Sequence, residues 1–144
     1  MYTANFDTSI GILRVVSSDK GLAYVELPRA NGRGMHGWHQ RHGEGAKLEE
    51  GYEPNRPYIA QLVDFLEGKR EGFDLPLDLR CTPFQTAVYE ELLRIPYGEM
   101  RSYAEVAAAL GRPKAVRAVG AAAGNNPIAI VIPCHRVIAS GGKL

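Results

Sequence analysis

The first part of the chain contains short segments rich in β-branched and aromatic residues. They cover residues 2–8, 10–16 and 22–27, and polar or glycine-containing stretches separate them. Segments of this composition, bounded by turn residues, are typical of β-strands. We therefore predict a small antiparallel meander.

Residues 28–57 are dominated by Gly, Arg, His and Glu and show no sustained hydrophobic period. We predict a long surface loop there, with at most a short helix. The pattern then changes, because the apolar residues of 59–66 recur at the i, i+3, i+4 and i+7 positions of a helix. That helix is predicted to start near Asn55-Arg56-Pro57 and to end at Gly68.

A second group of helices is predicted from Thr82 onwards. Phe84, Val88, Leu92 and Ile95 form one helical stripe, which Pro96-Tyr97-Gly98 ends. We place a boundary near Leu79, with a subdomain of residues 1–79 followed by one of residues 80–144.

The next two helices have clear start and stop signals. Ser102-Tyr103-Ala104-Glu105 has the form of a capping box, and Gly111 fits the C-terminal cap of the helix that it begins. Pro113 fits the first turn of a further helix, which Gly124-Asn125-Asn126-Pro127 ends. Two short helices joined by a three-residue turn predict a helix-turn-helix.

The helix predicted at 113–123 is rich in small residues, and Arg117 is its long projection. Such a helix could press into the minor groove of DNA, where a helix with long side chains would not fit. Equally, the small residues could pack against neighbouring helices.

Charge is distributed unevenly along a chain whose formal net charge is only +1. Residues 1–100 hold 11 Lys and Arg against 15 Asp and Glu, whereas residues 101–144 hold 6 against 1. This asymmetry favours an anionic partner for the C-terminal part, nucleic acid first, over a merely solvated basic face.

The chain has neither the start of a signal peptide nor an apolar run of membrane-spanning length. We therefore predict a cytoplasmic protein with no membrane partner. Cys81 and Cys134 could pair, but free thiols are favoured in a reducing compartment.

A potentially reactive cysteine follows the apolar residues 128–132, which we predict to be buried extended chain. The thiolate is the nucleophilic form of cysteine, so a reactive site needs a base or positive charge nearby, and His135 and Arg136 supply these types beside Cys134. Adjacent residues of extended chain point to opposite sides, so a water relay between Cys134 and His135 is favoured over direct contact. The alternative is a buried cysteine that only fills space.

Two other signals are weaker. His36, His39 and His42 recur every three residues, but in a polar loop without a nearby cysteine we favour solvated side chains over a metal site. Cys81 lies away from any basic cluster, so we predict an inert thiol.

Several motifs together resemble one known family, the methylated-DNA-protein-cysteine methyltransferases, or O6-alkylguanine-DNA alkyltransferases. They are Thr82-Pro83-Phe84-Gln85, Ile95-Pro96-Tyr97-Gly98-Glu99, Ser102-Tyr103, Ala118-Val119-Gly120, Asn126-Pro127 and Ile132-Pro133-Cys134-His135-Arg136-Val137-Ile138. The resemblance is dense from Thr82 onwards. It implies an α+β fold, with a small antiparallel, ribonuclease H-like N-terminal subdomain and a helical, winged-helix-like C-terminal subdomain.

The resemblance implies direct-reversal DNA repair. Cys134 would take an alkyl group irreversibly from O6 of guanine, and also from O4 of thymine, in a single turnover without a cofactor. His135 would deprotonate Cys134 through water, and Tyr103 would hydrogen-bond the base or help to protonate it. The backbone carbonyls of Cys134 and Val137 would accept from the guanine amino group.

By the same resemblance, the partner is double-stranded DNA containing O6-alkylguanine, which the protein would bind as a monomer. Arg117 matches the residue that fills the space left by the flipped base. Asn126 matches a hinge between the recognition helix and the reactive segment. Ser140, Gln85 and Ala104 match phosphate-contacting positions. Arg112 could add positive charge there, or it could be a solvated residue at a helix end.

Two other classes are weighed against this one. One is a non-catalytic DNA-binding protein, either a helix-turn-helix regulator or an alkyltransferase-like damage sensor, and Cys134 argues against the sensors because they carry tryptophan at that place. The other is a cysteine hydrolase, but the chain lacks a distant His and Asn pair with a papain-like cysteine context. In the family, the reactive segment is followed by a Tyr-x-Gly-Gly-like loop and by a helix bearing a glutamate. Because this sequence ends at Leu144, we expect truncation or continuation as a separate piece.

Overall fold

The computed structural model describes residues 1–30 and 33–139. Within them it contains a four-stranded sheet, a two-stranded sheet and five α-helices, so the predicted α+β class is confirmed. The chain divides into two compact units. The first is Met1–Arg80 with Pro127–Ala129, and the second is Cys81–Asn126 with the chain from Ile130 onwards.

The sheet of the first unit has the order β3-β2-β1-β4. Its strands are β1 (Tyr2–Thr8), β2 (Gly11–Ser18), β3 (Gly21–Glu26) and β4 (Glu49–Glu50). The first three pair antiparallel in sequence order, as predicted, and β4 adds a short parallel edge. A register shift between Val16 and Ser17 accompanies the burial of three successive β2 residues, where regular alternation would bury every second one.

The short helix allowed within residues 28–57 is present as α1 (Arg33–His42), but the prediction of a surface loop is wrong, because α1 packs on the sheet. Met35 and Trp38 are each 4% exposed and join Val16 and Ala23 in one apolar cluster. Two large apolar residues among Gly, Arg and His are too few to produce a helical period. A backbone N–H in the first turn of the helix also finds its partner outside the helix, since Oε1 of Glu26 accepts a hydrogen bond from the Met35 N–H at 2.9 Å.

The helix predicted after residue 55 is present as α2 (Arg56–Leu66). Ile59 and Leu62 are buried, as the periodicity indicates. Gly68, at φ 76°, follows the helix end in the left-handed conformation that favours glycine.

A polar network fixes the last residues of the first unit. Asp78 is 8% exposed, and one of its carboxylate oxygens accepts from Ser18 Oγ at 2.5 Å and from Arg80 Nη2 at 3.0 Å. Arg80 also donates from Nη1 to the His42 carbonyl at 2.8 Å. Burial would raise the pKa of Asp78, but the hydrogen bonds from Ser18 and Arg80 and the nearby positive charges lower it below its usual range.

Replacing Arg80 with alanine is expected to lower the free energy of unfolding by about 2 kcal/mol, because it leaves a buried carboxylate short of partners. Since the folded-state pKa of Asp78 lies below its unfolded value, its contribution is present near neutral pH and is lost as the pH falls below about 4. Urea denaturation at pH 7 and pH 3 checks both effects. Lys69→Ala, which breaks an exposed pair with Glu67, is the control and should not shift the midpoint.

The second unit contains three helices, α3 (Pro83–Leu93), α4 (Tyr103–Ala109) and α5 (Val116–Gly124). Two short strands, β5 (Arg101–Ser102) and β6 (Val137–Ile138), pair in parallel. The capping box predicted at Ser102 and Glu105 is present, and a second one joins Thr82 to Gln85 at the start of α3. Gly111, at φ 73°, follows α4 as predicted.

The start predicted for the last helix is wrong. α5 begins at Val116 rather than at Pro113, so residues 110–115 connect α4 and α5 in place of a three-residue turn. The Ala115 N–H donates to the Arg112 carbonyl at 2.9 Å and closes a turn around Pro113 and Lys114. Proline suits both the first turn of a helix and the second position of a β-turn, and here the turn prevails.

No helix in the described part of the chain is long and apolar enough to cross a membrane.

Candidate functional site

The predicted reactive cysteine lies on a short 3₁₀ turn, Cys134–Arg136. The prediction of extended chain over residues 128–132 is wrong, because residues 129–131 form turns and Ile130 has φ 73°. Ile128 keeps a single β-bridge to Val25 within the first unit. The predicted burial is confirmed for most of the run, since Ile128 and Ile132 are fully buried. An apolar run without a period indicates burial but does not distinguish a strand from turns.

Backbone hydrogen bonds hold the Cys134 turn on both sides. The Cys134 N–H donates to the Ile132 carbonyl at 2.8 Å, and the Val137 N–H donates to the Cys134 carbonyl. The thiol of Cys134 is free and half-buried. Because successive side chains of a 3₁₀ turn diverge by about 120°, Cys134 and His135 still point in different directions, although the extended chain assumed from the sequence is absent.

His135 is exposed on this turn. Partial desolvation lowers its pKa below the usual value, and the positive charge of Arg136 lowers it further. Its imidazole is therefore neutral at physiological pH and able to accept a proton.

Arg136 anchors the turn to the loop after α3, a role that the sequence did not indicate. Its Nη1 donates to the Ile95 carbonyl at 3.0 Å, and its guanidinium lies 5.4 Å from the centroid of the Tyr97 ring. Both partners belong to motifs noted in the sequence, but 41 residues separate Arg136 from Ile95, so the sequence does not show that they meet.

The two-stranded sheet ties Tyr103 to the Cys134 turn. β5 leads directly into Tyr103, and β6 follows directly from Arg136. Arg101 pairs with Val137 and Ser102 with Ile138, so the ladder aligns these two segments. Tyr103 is half-buried at the first position of α4. The fold thus brings the start of α4, Val137 and the reactive turn together.

Asn126 bridges the end of α5 and the segment before Pro133. Its Nδ2 donates to the Ile132 carbonyl at 2.8 Å, and Ile132 is also the residue whose carbonyl accepts from the Cys134 N–H. The predicted hinge residue therefore contacts the reactive segment directly.

The candidate DNA contacts occupy different settings. Arg117 is exposed on α5, and Ala104 is half-buried in the first turn of α4. The Gln85 side chain accepts a hydrogen bond from the Thr82 N–H in the capping box of α3. The Arg112 guanidinium lies 5.6 Å from the centroid of the Phe84 ring. Ser140 lies outside the residues that the structure describes.

A buried tyrosine beneath α5 was not singled out from the sequence. Tyr89 is 1% exposed, and its hydroxyl donates to the Ala122 carbonyl at 2.8 Å. Burial raises its pKa to about 12, and the charges that Cys81 and Cys134 carry as thiolates add to this rise. Its position one residue after Val88, on the α3 stripe, was the available signal. Burial also raises the pKa of the Cys81 thiol, which agrees with an unreactive side chain.

Two of the three spaced histidines of α1 contact other residues, so the prediction of solvated side chains is wrong for them, whereas His36 is exposed as predicted. His39 Nε2 lies 2.6 Å from the Ala46 carbonyl, and the His42 ring is 6.0 Å from the ring of Trp38. Within residues 1–30 and 33–139, no three His, Cys, Asp or Glu side chains are grouped so that they could hold a metal ion.

Comparison with known proteins places these motifs in a family. Residues 83–144 match the model of the 6-O-methylguanine DNA methyltransferase DNA-binding domain. The inducible methylated-DNA–protein-cysteine methyltransferase of Bacillus subtilis is 40% identical over 130 residues, which are 90% of this chain and 73% of that protein. The chain belongs to the methylated-DNA–protein-cysteine methyltransferase family.

Similarity to this methyltransferase family extends over both units. The Methanosarcina barkeri methylated-DNA–protein-cysteine methyltransferase is 40% identical over all of this chain and 86% of its own length. The crystal structure of Mycobacterium tuberculosis OGT in complex with DNA superposes with a TM-score of 0.82 at 36% identity, over 99% of this chain and 81% of that one. The resemblance based on the C-terminal motifs is therefore confirmed as family membership.

Proposed function

We propose that this protein repairs DNA by direct reversal and that Cys134 accepts the alkyl group. The Cys134 sulfur attacks the alkyl carbon of O6-alkylguanine in line with the carbon–oxygen bond. As the sulfur–carbon bond forms, the carbon–oxygen bond breaks and its electron pair moves to O6. The product is a thioether that no group in the site can cleave, so each molecule acts once and needs no cofactor. O4-alkylthymine would react in the same way.

The observation that carries this proposal is the hydrogen-bonded turn that holds a free, half-buried Cys134 beside a neutral His135. A thiol must lose its proton before it attacks, and His135 would receive that proton through water. Tyr103 would donate to the base or help to protonate it as it leaves. The carbonyls of Cys134 and Val137 would accept from the guanine amino group, and the Cys134 oxygen has a second lone pair for this.

The target atom is enclosed in the duplex, so the nucleotide must leave the stack. The small residues within 118–123 of α5 suit approach from the minor groove, and Arg117 would fill the vacated space. Asn126 would act as the hinge between α5 and the reactive segment. Ser140, Gln85, Ala104 and Arg112 would contact phosphates, and we propose that one monomer suffices.

Mass spectrometry of the full-length protein tests the acceptor. After incubation with duplex DNA containing O6-methylguanine, the peptide containing Cys134 should gain one methyl group per protein molecule. An adduct on another residue would disprove the assignment of Cys134. Binding without any adduct would favour a non-catalytic damage sensor.

Acid is expected to slow the transfer because protonated His135 cannot accept the thiol proton. The pKa of His135 is lowered, so the rate should fall as the pH drops below roughly 6.5, with a midpoint below that value. Single-turnover rates from pH 5 to 8 measure this. His135→Asn should be roughly 100-fold slower at pH 7.5 and should lose the acid limb.

Folding must be checked at each pH, since a lowered histidine pKa also makes the folded state less stable in acid. Circular dichroism provides that check. An unchanged acid limb in His135→Asn would show that another group is the base.

We further propose a cytoplasmic location, because a thiol that reacts only once must stay reduced until it meets its substrate. The functional division into residues 1–79 and 80–144 is likewise a proposal.

A further inference from the structure

Gly120 lies in α5 with the ring of Tyr103 packed against it. A Cβ atom placed on Gly120 would be 3.3 Å from Cε2 of Tyr103 and 3.4 Å from Cδ2. Such contacts are tighter than ordinary ones, so a methyl group would displace the ring by a few tenths of an ångström. The Tyr103 ring thus occupies the space that a side chain at position 120 would need.

The backbone does not explain the glycine. Gly120 is helical, and its φ lies outside the left-handed region that favours glycine. Glycine within a helix is unfavourable relative to alanine, because it has more conformational freedom to lose. Gly120 therefore weakens α5 while it admits the Tyr103 ring.

The backbone of Tyr103 is held independently of this contact. Pairing of Ser102 with Ile138 and the Ser102–Glu105 capping box fix the chain on either side of it. The direction of the ring is the remaining freedom, and the surface at Gly120 restricts it.

We infer that Gly120 is a positioning residue for alkyl transfer, because it seats the Tyr103 ring so that the phenol hydroxyl reaches the flipped base. This inference rests on the proposed function, in which Tyr103 donates to that base. Proton donors are sensitive to small displacements, since misplacement by 1 Å can cost about 100-fold in rate.

The matched pair Gly120→Ala and Gly124→Ala tests the inference in the full-length protein. Both changes add one methyl group to α5, but a Cβ on Gly124 meets nothing within 4 Å. Single-turnover rates at saturating O6-methylguanine duplex should fall about 3- to 10-fold for Gly120→Ala and stay unchanged for Gly124→Ala. Both variants should unfold at a higher temperature than the wild type, and both should bind undamaged duplex as tightly as the wild type does. A wild-type rate for Gly120→Ala would overturn the inference.

Tyr103→Phe separates positioning from packing, because it keeps the ring and removes the hydroxyl. If Gly120 acts through the hydroxyl, Gly120→Ala should cause no further loss in the Tyr103→Phe background. The same fold-loss in both backgrounds would mean that the methyl group only disturbs packing, and the inference would fail. If the wild type transfers no methyl group, both the proposed function and the inference fail. If the wild type is active and Gly120→Ala has the same rate, only the inference fails.

Discussion

Replacing Cys134 with serine is expected to reduce alkyl transfer by a factor on the order of a thousand or more. A serine hydroxyl has nearly the size of the thiol, but it loses its proton far less readily and is a much weaker nucleophile. The turn should persist, because its contacts to Ile132 and Val137 are made by backbone atoms. Intact-protein mass after incubation with excess O6-methylguanine duplex measures the loss, and gel-shift titration should show that DNA binding remains.

Cys81→Ser is the matched control, since Cys81 is the second free thiol of the described chain. Burial raises its pKa, which keeps it protonated and unreactive at neutral pH. The variant should transfer the methyl group at the wild-type rate. If methylation survives in Cys134→Ser, Cys134 is not the acceptor. If it disappears in Cys81→Ser, the acceptor is Cys81.

Replacing Arg117 with alanine should slow repair of duplex O6-methylguanine by about 100-fold. Flipping a nucleotide costs a few kcal/mol, and a side chain that fills the vacated space recovers part of that cost. The free base needs no flipping, so its reaction with the same variant should slow only a few-fold. Single-turnover rates with the two substrates give the ratio.

Lys114→Ala controls for the loss of one positive charge near the start of α5. Lys114 is exposed in the connection before the helix, so its removal should weaken binding to all duplexes alike and lower the salt dependence of binding by about one counterion. At saturating duplex, Lys114→Ala should not change the ratio of duplex to free-base rates. If Arg117→Ala slows both substrates equally, Arg117 does not hold the flipped state and acts only on the structure of the site.

Elements with local signals were predicted well from the sequence. The capping box at Ser102 and Glu105 and the left-handed Gly68 and Gly111 mark helix ends, because residues within one turn satisfy the free backbone groups. The first three strands were found because their composition and turns are also local. The Cys134 segment was recognised from its contiguous residues.

Features that depend on distant contacts were missed. In the first turn of α1, the Met35 N–H donates to the Glu26 carboxylate, and Trp38 is buried against residues of the sheet. Neither contact is evident from residues 33–42 alone. The run at 128–132 lacks a period that distinguishes turns from a strand. The contact from Arg136 to Ile95 and the packing of Tyr103 on Gly120 join residues that only the folded chain brings together.

The pairing of β5 with β6 sets which changes in chain length the site can tolerate. Tyr103 follows β5 at once and Arg136 precedes β6 at once, so this ladder fixes the alignment of the two segments. An insertion in the connection at residues 110–115 leaves that alignment intact. Deleting one residue of β5 or β6 would turn the following side chains to the opposite face. An added residue at 110–115 should therefore disturb the alignment of Tyr103 with the Cys134 turn less than a change of length in β5 or β6.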